Sequence, residues 1–207
     1  MKKYIVTIKA KMLRPLKVFS QKKKKEKLRI LQLRKQNMSD IDRWKKETVF
    51  HRNWEDRTLK LASFVADSSN VIEFGAGHSP LPNFFKNRVK YQAADIVQRN
   101  PDMLICDLNI RPIQLSLEPY DTAIFSGVLE YVYDINTLFE VLEKNISQVI
   151  FSYACSDICR ENRLLNGWLS DYTLAELKEV FTQTNYAILN EELWKDQTLF
   201  NLKKYNT

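Results

Sequence analysis

From residue 70 onward the chain alternates between short apolar runs and stretches with helical spacing. The apolar runs are Val71–Phe74, Tyr91–Ala94, Met103–Cys106, Thr122–Phe125 and Gln148–Phe151. Between and after them the spacing predicts helices near Leu81–Lys86, Ile135–Lys144 and Leu174–Thr182, the last opened by Thr173 and Glu176 at capping-box spacing. Parallel strands need a crossover between them, so this alternation predicts an α/β fold with a mostly parallel sheet flanked by helices. Tyr186–Asn190 and Thr198–Leu202 are joined by a short polar link with no helix, and read as a closing antiparallel hairpin.

Before residue 70 the pattern is helical. Lys22–Lys35 reads as a charged helix carrying Leu28, Ile30, Leu31 and Leu33. Asn37–Asp40 supplies helix-start residues ahead of Ile41, Trp44 and Val49, and a further stripe runs through Leu59, Ala62, Val65 and Ala66. Residues 4–19 mix Ile5, Ile8, Met12, Leu16 and Phe19 with Lys9, Lys11, Arg14 and Lys17, a basic amphipathic stretch interrupted by Pro15.

Charge divides the chain more sharply than length does. Its 207 residues suit one domain with an appendage. Residues 1–50 hold 17 Lys and Arg against 4 Asp and Glu, whereas residues 51–207 hold 15 against 21. The expected organisation is a basic helical N-terminal arm, 1–50, on a mildly acidic domain, 51–207. Such an arm suits an anionic partner, either a phospholipid surface or nucleic acid, and suits a solvated helix face equally well. The three cysteines are scattered, which fits a reducing cytosol better than a disulfide scaffold. Lys9 and Lys11 break the apolar run that follows the basic start, so no export signal is expected. The expected location is cytoplasmic, with the arm able to bring the domain to the inner face of a membrane.

The chemistry-bearing residues gather where strands end. Glu73-Phe74-Gly75-Ala76-Gly77 closes the first run ahead of a helix, the position where open α/β sheets bind nucleotides. His78-Ser79-Pro80 stands where a third glycine would complete a dinucleotide fingerprint, so a looser loop is expected than a phosphate cradle. Asp95 ends the second run, where a carboxylate can accept hydrogen bonds from ribose hydroxyls, and Asp107 ends the third. Each acid alone is more often a loop cap than a ligand. Three on one sheet edge are harder to explain so. Cys155 and Cys159 lack neighbours for a tetrahedral site, so no metal is expected.

Val71–Gly77, Ala94-Asp95, Cys106-Asp107-Leu108 and Tyr120–Val132 resemble the successive motifs of class I S-adenosylmethionine (SAM)-dependent methyltransferases of the small-molecule type. The resemblance covers roughly residues 54 to 203 and includes the terminal hairpin. It implies a Rossmann-like methyltransferase fold and SAM as cofactor. It further implies that Gly75 and Gly77 face the methionine part, Asp95 holds the ribose, Asp107 and the Leu108 amide hold adenine, Ser126 borders the sulfonium, and Glu73 anchors the loop. The chain departs from the pattern at Ser79, where glycine is frequent, and at Tyr131, where histidine is frequent.

Methyl transfer is an in-line displacement in which alignment supplies much of the rate, so a base is optional. Where one is needed, His78, Glu130 and Tyr131 stand near the expected mouth. Phe151-Ser152-Tyr153, Asp157, Arg160, Arg163 and Trp168 follow the fifth run, where the family builds its acceptor wall; aromatic and polar groups together suit a small-molecule or glycan-like acceptor. Two other readings stand beside this one: an RNA methyltransferase whose arm holds phosphates, and a non-catalytic scaffold that only binds SAM. No Asn- or Asp-Pro-Pro-aromatic motif follows the fourth run, which disfavours methylation of a base amino group and makes nucleic acid the weaker partner.

Overall fold

The computed structural model describes residues 20–46 and 53–205; the expectations for residues 4–19 and for Val49 fall outside them. Seven strands form a single sheet: β1 (Asn70–Phe74), β2 (Lys90–Asp95), β3 (Leu104–Ile105), β4 (Thr122–Phe125), β5 (Gln148–Tyr153), β6 (Tyr186–Trp194) and β7 (Gln197–Lys204). Their spatial order is β3-β2-β1-β4-β5-β7-β6, parallel from β3 to β5, with β7 antiparallel to both β5 and β6. This is the mostly parallel sheet with a terminal antiparallel hairpin that the alternation predicts.

The helices are α1 (residues 20–36), α2 (Ile41–Trp44), α3 (Asn53–Ala62), α4 (Leu81–Phe85), α5 (Ile135–Leu142), α6 (Arg163–Asn166) and α7 (Leu174–Gln183). The central strands are buried on both faces, and alternate residues feed two cores. Ile72, Phe74, Ala123, Phe125, Val149 and Phe151 pack with α5 and α7 on one side. Val71, Ile124 and Ile150 pack with Leu61 of α3 and with Leu81 and Phe85 of α4 on the other. Phe139, Phe151, Phe181, Tyr186 and Phe200 form an aromatic cluster that locks α5 and α7 to the hairpin side of the sheet.

Several boundaries differ from the pattern. β3 holds only two residues, since at this sheet edge only Leu104 and Ile105 pair with β2, while the flanking Met103 and Cys106 are buried outside the ladder. β6 and β7 run further than expected, leaving only Lys195-Asp196 as the turn. The polar residues of β6 read as a link, yet an edge strand leaves most of its side chains in water. α3 stops at Ala62, although Val65 still reaches the core. The short α6 has no apolar period to announce it; Asn162 caps its start and Gly167, at φ +78°, ends it. The capping box of Thr173 and Glu176 is formed as the spacing suggests.

α1 is held against the body. Ile30 is fully buried. Arg29 donates to both oxygens of Asp40 at 2.5 and 2.7 Å, and Arg34 donates to the Trp168 carbonyl and to Asp171. Asp40 in turn caps α2 by accepting from the Arg43 amide. Among the described residues no helix is long and apolar enough to cross a membrane.

Candidate functional site

The carboxyl ends of β1, β2 and β4 open onto a cavity of about 750 Å³. β1 sends its crossover toward β2, while β4 lies on its other side, so this edge is the topological switch point where open α/β sheets leave a crevice. The volume falls in the range of small-molecule and cofactor sites. All the strand-end residues singled out from the sequence, except Gly77, border this cavity: Glu73, Gly75, Asp95, Asp107, Leu108 and Ser126, with His78, Glu130 and Tyr131 beside them.

The turn after β1 is shaped for close approach. Gly75 takes φ +65°, and a Cβ there would stand 2.4 Å from Val128 Cγ2. Gly77, also at positive φ, lies behind it, and its amide donates to Asp95 Oδ2 at 2.8 Å while Val97 donates to Oδ1 at 3.0 Å. Asp95 therefore fastens the glycine turn to the end of β2, and each carboxylate oxygen retains a lone pair for a further donor. Ser79 is no defect of the loop: its hydroxyl accepts from the Leu81 amide at the start of α4. His78, a candidate base, sits exposed at the rim.

Glu73 is almost wholly buried, and its carboxylate accepts from the Tyr91 hydroxyl at 2.5 Å. Burial pushes its pKa up to about 7, against the pull of hydrogen bonds from Ser79 and Tyr91. Asp107 has one oxygen engaged by the Ser39 hydroxyl at 2.6 Å and by the Asn109 amide at 2.9 Å. The Asn109 side chain continues this network to Ser39 and to the Tyr131 carbonyl. The Leu108 carbonyl is taken by Arg111.

Beneath Ser126 lies a buried charged group that the sequence reading did not single out. Arg57 of α3 donates to Ser126 Oγ and to its carbonyl, both at 3.1 Å, and to Gln197 Oε1 at 2.7 Å. Gln197 passes the link to Glu130 Oε1 at 3.0 Å, which also accepts from the Ala154 amide. The other Glu130 oxygen is buried without a hydrogen-bond partner among the described residues. Burial holds the Glu130 carboxyl above the usual range, partly offset by the Arg57 charge. Burial likewise lowers the pKa of Arg57. The available signal was Arg57 standing four positions before Leu61, a cation on the apolar face of a helix.

Tyr131 packs edge-on against Trp44 of α2 at 4.7 Å between ring centroids, and burial pushes its phenol up to about 12. Ser39, Asp40, Arg43 and Trp44 complete this wall, so a segment assigned to the arm lines the cavity. Of the expected acceptor wall only Trp168 does so. Phe151, Ser152 and Tyr153 are buried in the strand, Asp157 accepts from the Leu174 amide, and Arg163 lies over the Trp168 ring at 4.6 Å. Among the described residues no three His, Cys, Asp or Glu side chains gather as a metal site.

Sheet order, the hairpin and the crevice at β1 and β4 together define the Rossmann-like fold of class I methyltransferases. A SAM-dependent methyltransferase from Mesorhizobium loti is similar with a TM-score of 0.56 at 13% identity, over 70% of this chain and 96% of that one. A 1,6-didemethyltoxoflavin-N1-methyltransferase from Burkholderia thailandensis, solved with 1,6-didemethyltoxoflavin and S-adenosylhomocysteine bound, gives 0.59 at 13% identity over 78% and 82%. A putative SAM-dependent methyltransferase from Listeria monocytogenes gives 0.57 at 11% identity over 74% and 99%. No protein-family model matches the chain, and no curated protein matches it in sequence.

Proposed function

We propose that the protein binds SAM in this cavity and transfers its methyl group to a small-molecule acceptor. The observation that carries the reading is the Gly75 turn, left bare of a side chain and clamped by Asp95 at the mouth of the crevice. The residues present fit the cofactor. Gly75 offers backbone to its methionine part while Gly77 supports the turn from behind through Asp95, which has lone pairs left for ribose hydroxyls. Asp107 keeps one oxygen for the adenine amino group beside the Leu108 amide. Ser126, fixed by Arg57 and Thr58, borders the sulfonium. Glu73 anchors the turn from below.

When bound, SAM supplies an electrophilic methyl carbon on a positively charged sulfur. The chain's part is to align an acceptor atom and exclude water, which can supply much of the barrier reduction. Where the acceptor must lose a proton, Glu130 is the best suited of the three residues. It is buried at the cavity, it has an oxygen with no hydrogen-bond partner, and its raised pKa favours proton uptake. The Tyr131 phenol stays protonated near neutrality and serves as a donor or packing surface. His78 at the rim is the outermost of the three. Trp54, Trp168, Tyr131 and Gln197, which line the cavity with Glu130, suit a flat or sugar-like acceptor. The Burkholderia neighbour's small acceptor agrees with a cavity of this kind.

The test is calorimetric titration with S-adenosylhomocysteine, followed by incubation with methyl-labelled SAM and a fractionated cell extract. Saturable heat and label in a low-mass fraction are expected. No heat and no thermal shift at millimolar ligand would overturn the reading. Binding without any transferred label would leave a SAM-binding scaffold instead.

A further inference from the structure

The outward face of α1 joins apolar and basic groups that the fold does not use. At about 100° per residue, Lys24, Leu28, Leu31 and Lys35 fall within an arc of about 60°. Buried Ile30 and half-buried Leu33 lie on the side toward the body. Leu28 is 58% exposed and Leu31 46%, and Met38 and Ile41 stand exposed just beyond the helix. Lys22, Lys24 and Lys25 stand exposed about one turn before Leu28. The inner cations of the same helix, Arg29 and Arg34, are consumed by Asp40 and Asp171, so the two sides of α1 have separate roles.

We infer that this face of α1 docks the protein on an anionic phospholipid surface, with Leu28 and Leu31 entering the headgroup boundary and Lys24 and Lys35 meeting lipid phosphates and carboxylates. A helix lying in that plane needs apolar side chains flanked by cations, and this is the arrangement present. Nucleic acid would reward the lysines but leave both leucines in water. The preceding sequence repeats the composition, with Ile5, Ile8, Met12, Leu16 and Phe19 among Lys9, Lys11, Arg14 and Lys17. Because Arg34 grips the Trp168 carbonyl and Arg29 grips Asp40, the docking helix is joined to two residues that line the cavity. Docking would hold the cavity close to the bilayer, where an amphiphilic acceptor is concentrated.

The full-length protein should co-sediment with vesicles of phosphatidylserine and phosphatidylcholine, and not with phosphatidylcholine alone. Leu28→Ser with Leu31→Ser, and separately Lys24→Glu with Lys35→Glu, should each weaken that binding by about tenfold or more. Both pairs are exposed, so circular dichroism melting should match the wild type and exclude misfolding as the cause. The inference is overturned if the wild type ignores anionic vesicles, binds neutral ones equally, or binds unchanged after either double substitution. It is also overturned if the protein retains RNA in a manner sensitive to the lysine pair and indifferent to the leucine pair while vesicles are ignored.

Discussion

The Ser39 hydroxyl donates a 2.6 Å hydrogen bond to Asp107, joining the segment between α1 and α2 to the end of β3 across 68 positions of sequence. Together with Trp44 against Tyr131, this makes the N-terminal segment a wall of the cavity rather than a detached arm. Removing residues 1–46 should therefore weaken S-adenosylhomocysteine binding, contrary to what charge segregation alone suggests. Ser39→Ala should raise the dissociation constant by about threefold to tenfold, as expected for one hydrogen bond worth about 0.5–1.5 kcal/mol. Calorimetric titration of both variants checks this; affinities equal to wild type would return the segment to a peripheral role.

Asp95 holds the turn and, on the proposed function, would also hold the ribose, and one substitution tests both roles. Asp95→Ala strands the Gly77 and Val97 amides that its carboxylate receives. The cost to folding should be about 1–3 kcal/mol, in addition to a cofactor affinity lowered roughly tenfold to a hundredfold. Chemical denaturation and ligand titration on the same preparation should both move. A loss of stability with unchanged affinity would show that the carboxylate serves the turn and not the ribose.

Glu73 sets a pH dependence whose sign follows from burial. Its pKa is about 7 in the folded chain against 4.5 unperturbed. A raised carboxyl contributes stability that is fully present below the unperturbed value and is lost as pH rises through the folded value. The window is therefore about pH 4.5 to 7, and the full difference is on the order of 3 kcal/mol. Glu130 is shifted in the same direction and adds to the trend. Denaturation midpoints at about pH 5 and about pH 8 should differ less in Glu73→Gln than in the wild type. An identical pH dependence in the two proteins would mean that Glu73 is not the group responsible.

Sheet and strand-end acids were legible because the chain writes them locally. A run buried on both faces, such as Ala123–Phe125, has to be apolar; Glu73 stands one position before the first run stops, and Asp95 and Asp107 stand where the next two do. The opposite wall was not legible, because its parts come from distant segments with no shared period. Arg57 shows in sequence only as a cation on the apolar face of α3, with no sign of its partner Ser126, and Gln197 reads as a turn residue until β7 pairs with β5. Arg163 has the composition of a ligand-binding group, yet its donors are spent on the Ala154 and Ser170 carbonyls and on Asp171. Residue type suggested chemistry there, and hydrogen-bond satisfaction assigned structure instead.

Gly75 offers the sharpest test of the turn because two independent penalties meet at one atom. At φ +65° any side chain is strained, by about 1–2 kcal/mol, and the added Cβ would also meet Val128 Cγ2 at 2.4 Å. Val128 is partly buried and packs on the main core, so it can withdraw only by disturbing its neighbours. Gly75→Ala should therefore lower stability by about 2–4 kcal/mol. Truncating the obstacle removes the clash but not the backbone strain, so Gly75→Ala in a Val128→Ala background should cost only the strain, about 1–2 kcal/mol. A double-mutant cycle read by chemical denaturation measures the difference as a coupling energy. If the two substitutions prove additive, the contact between turn and Val128 is not what requires glycine at position 75.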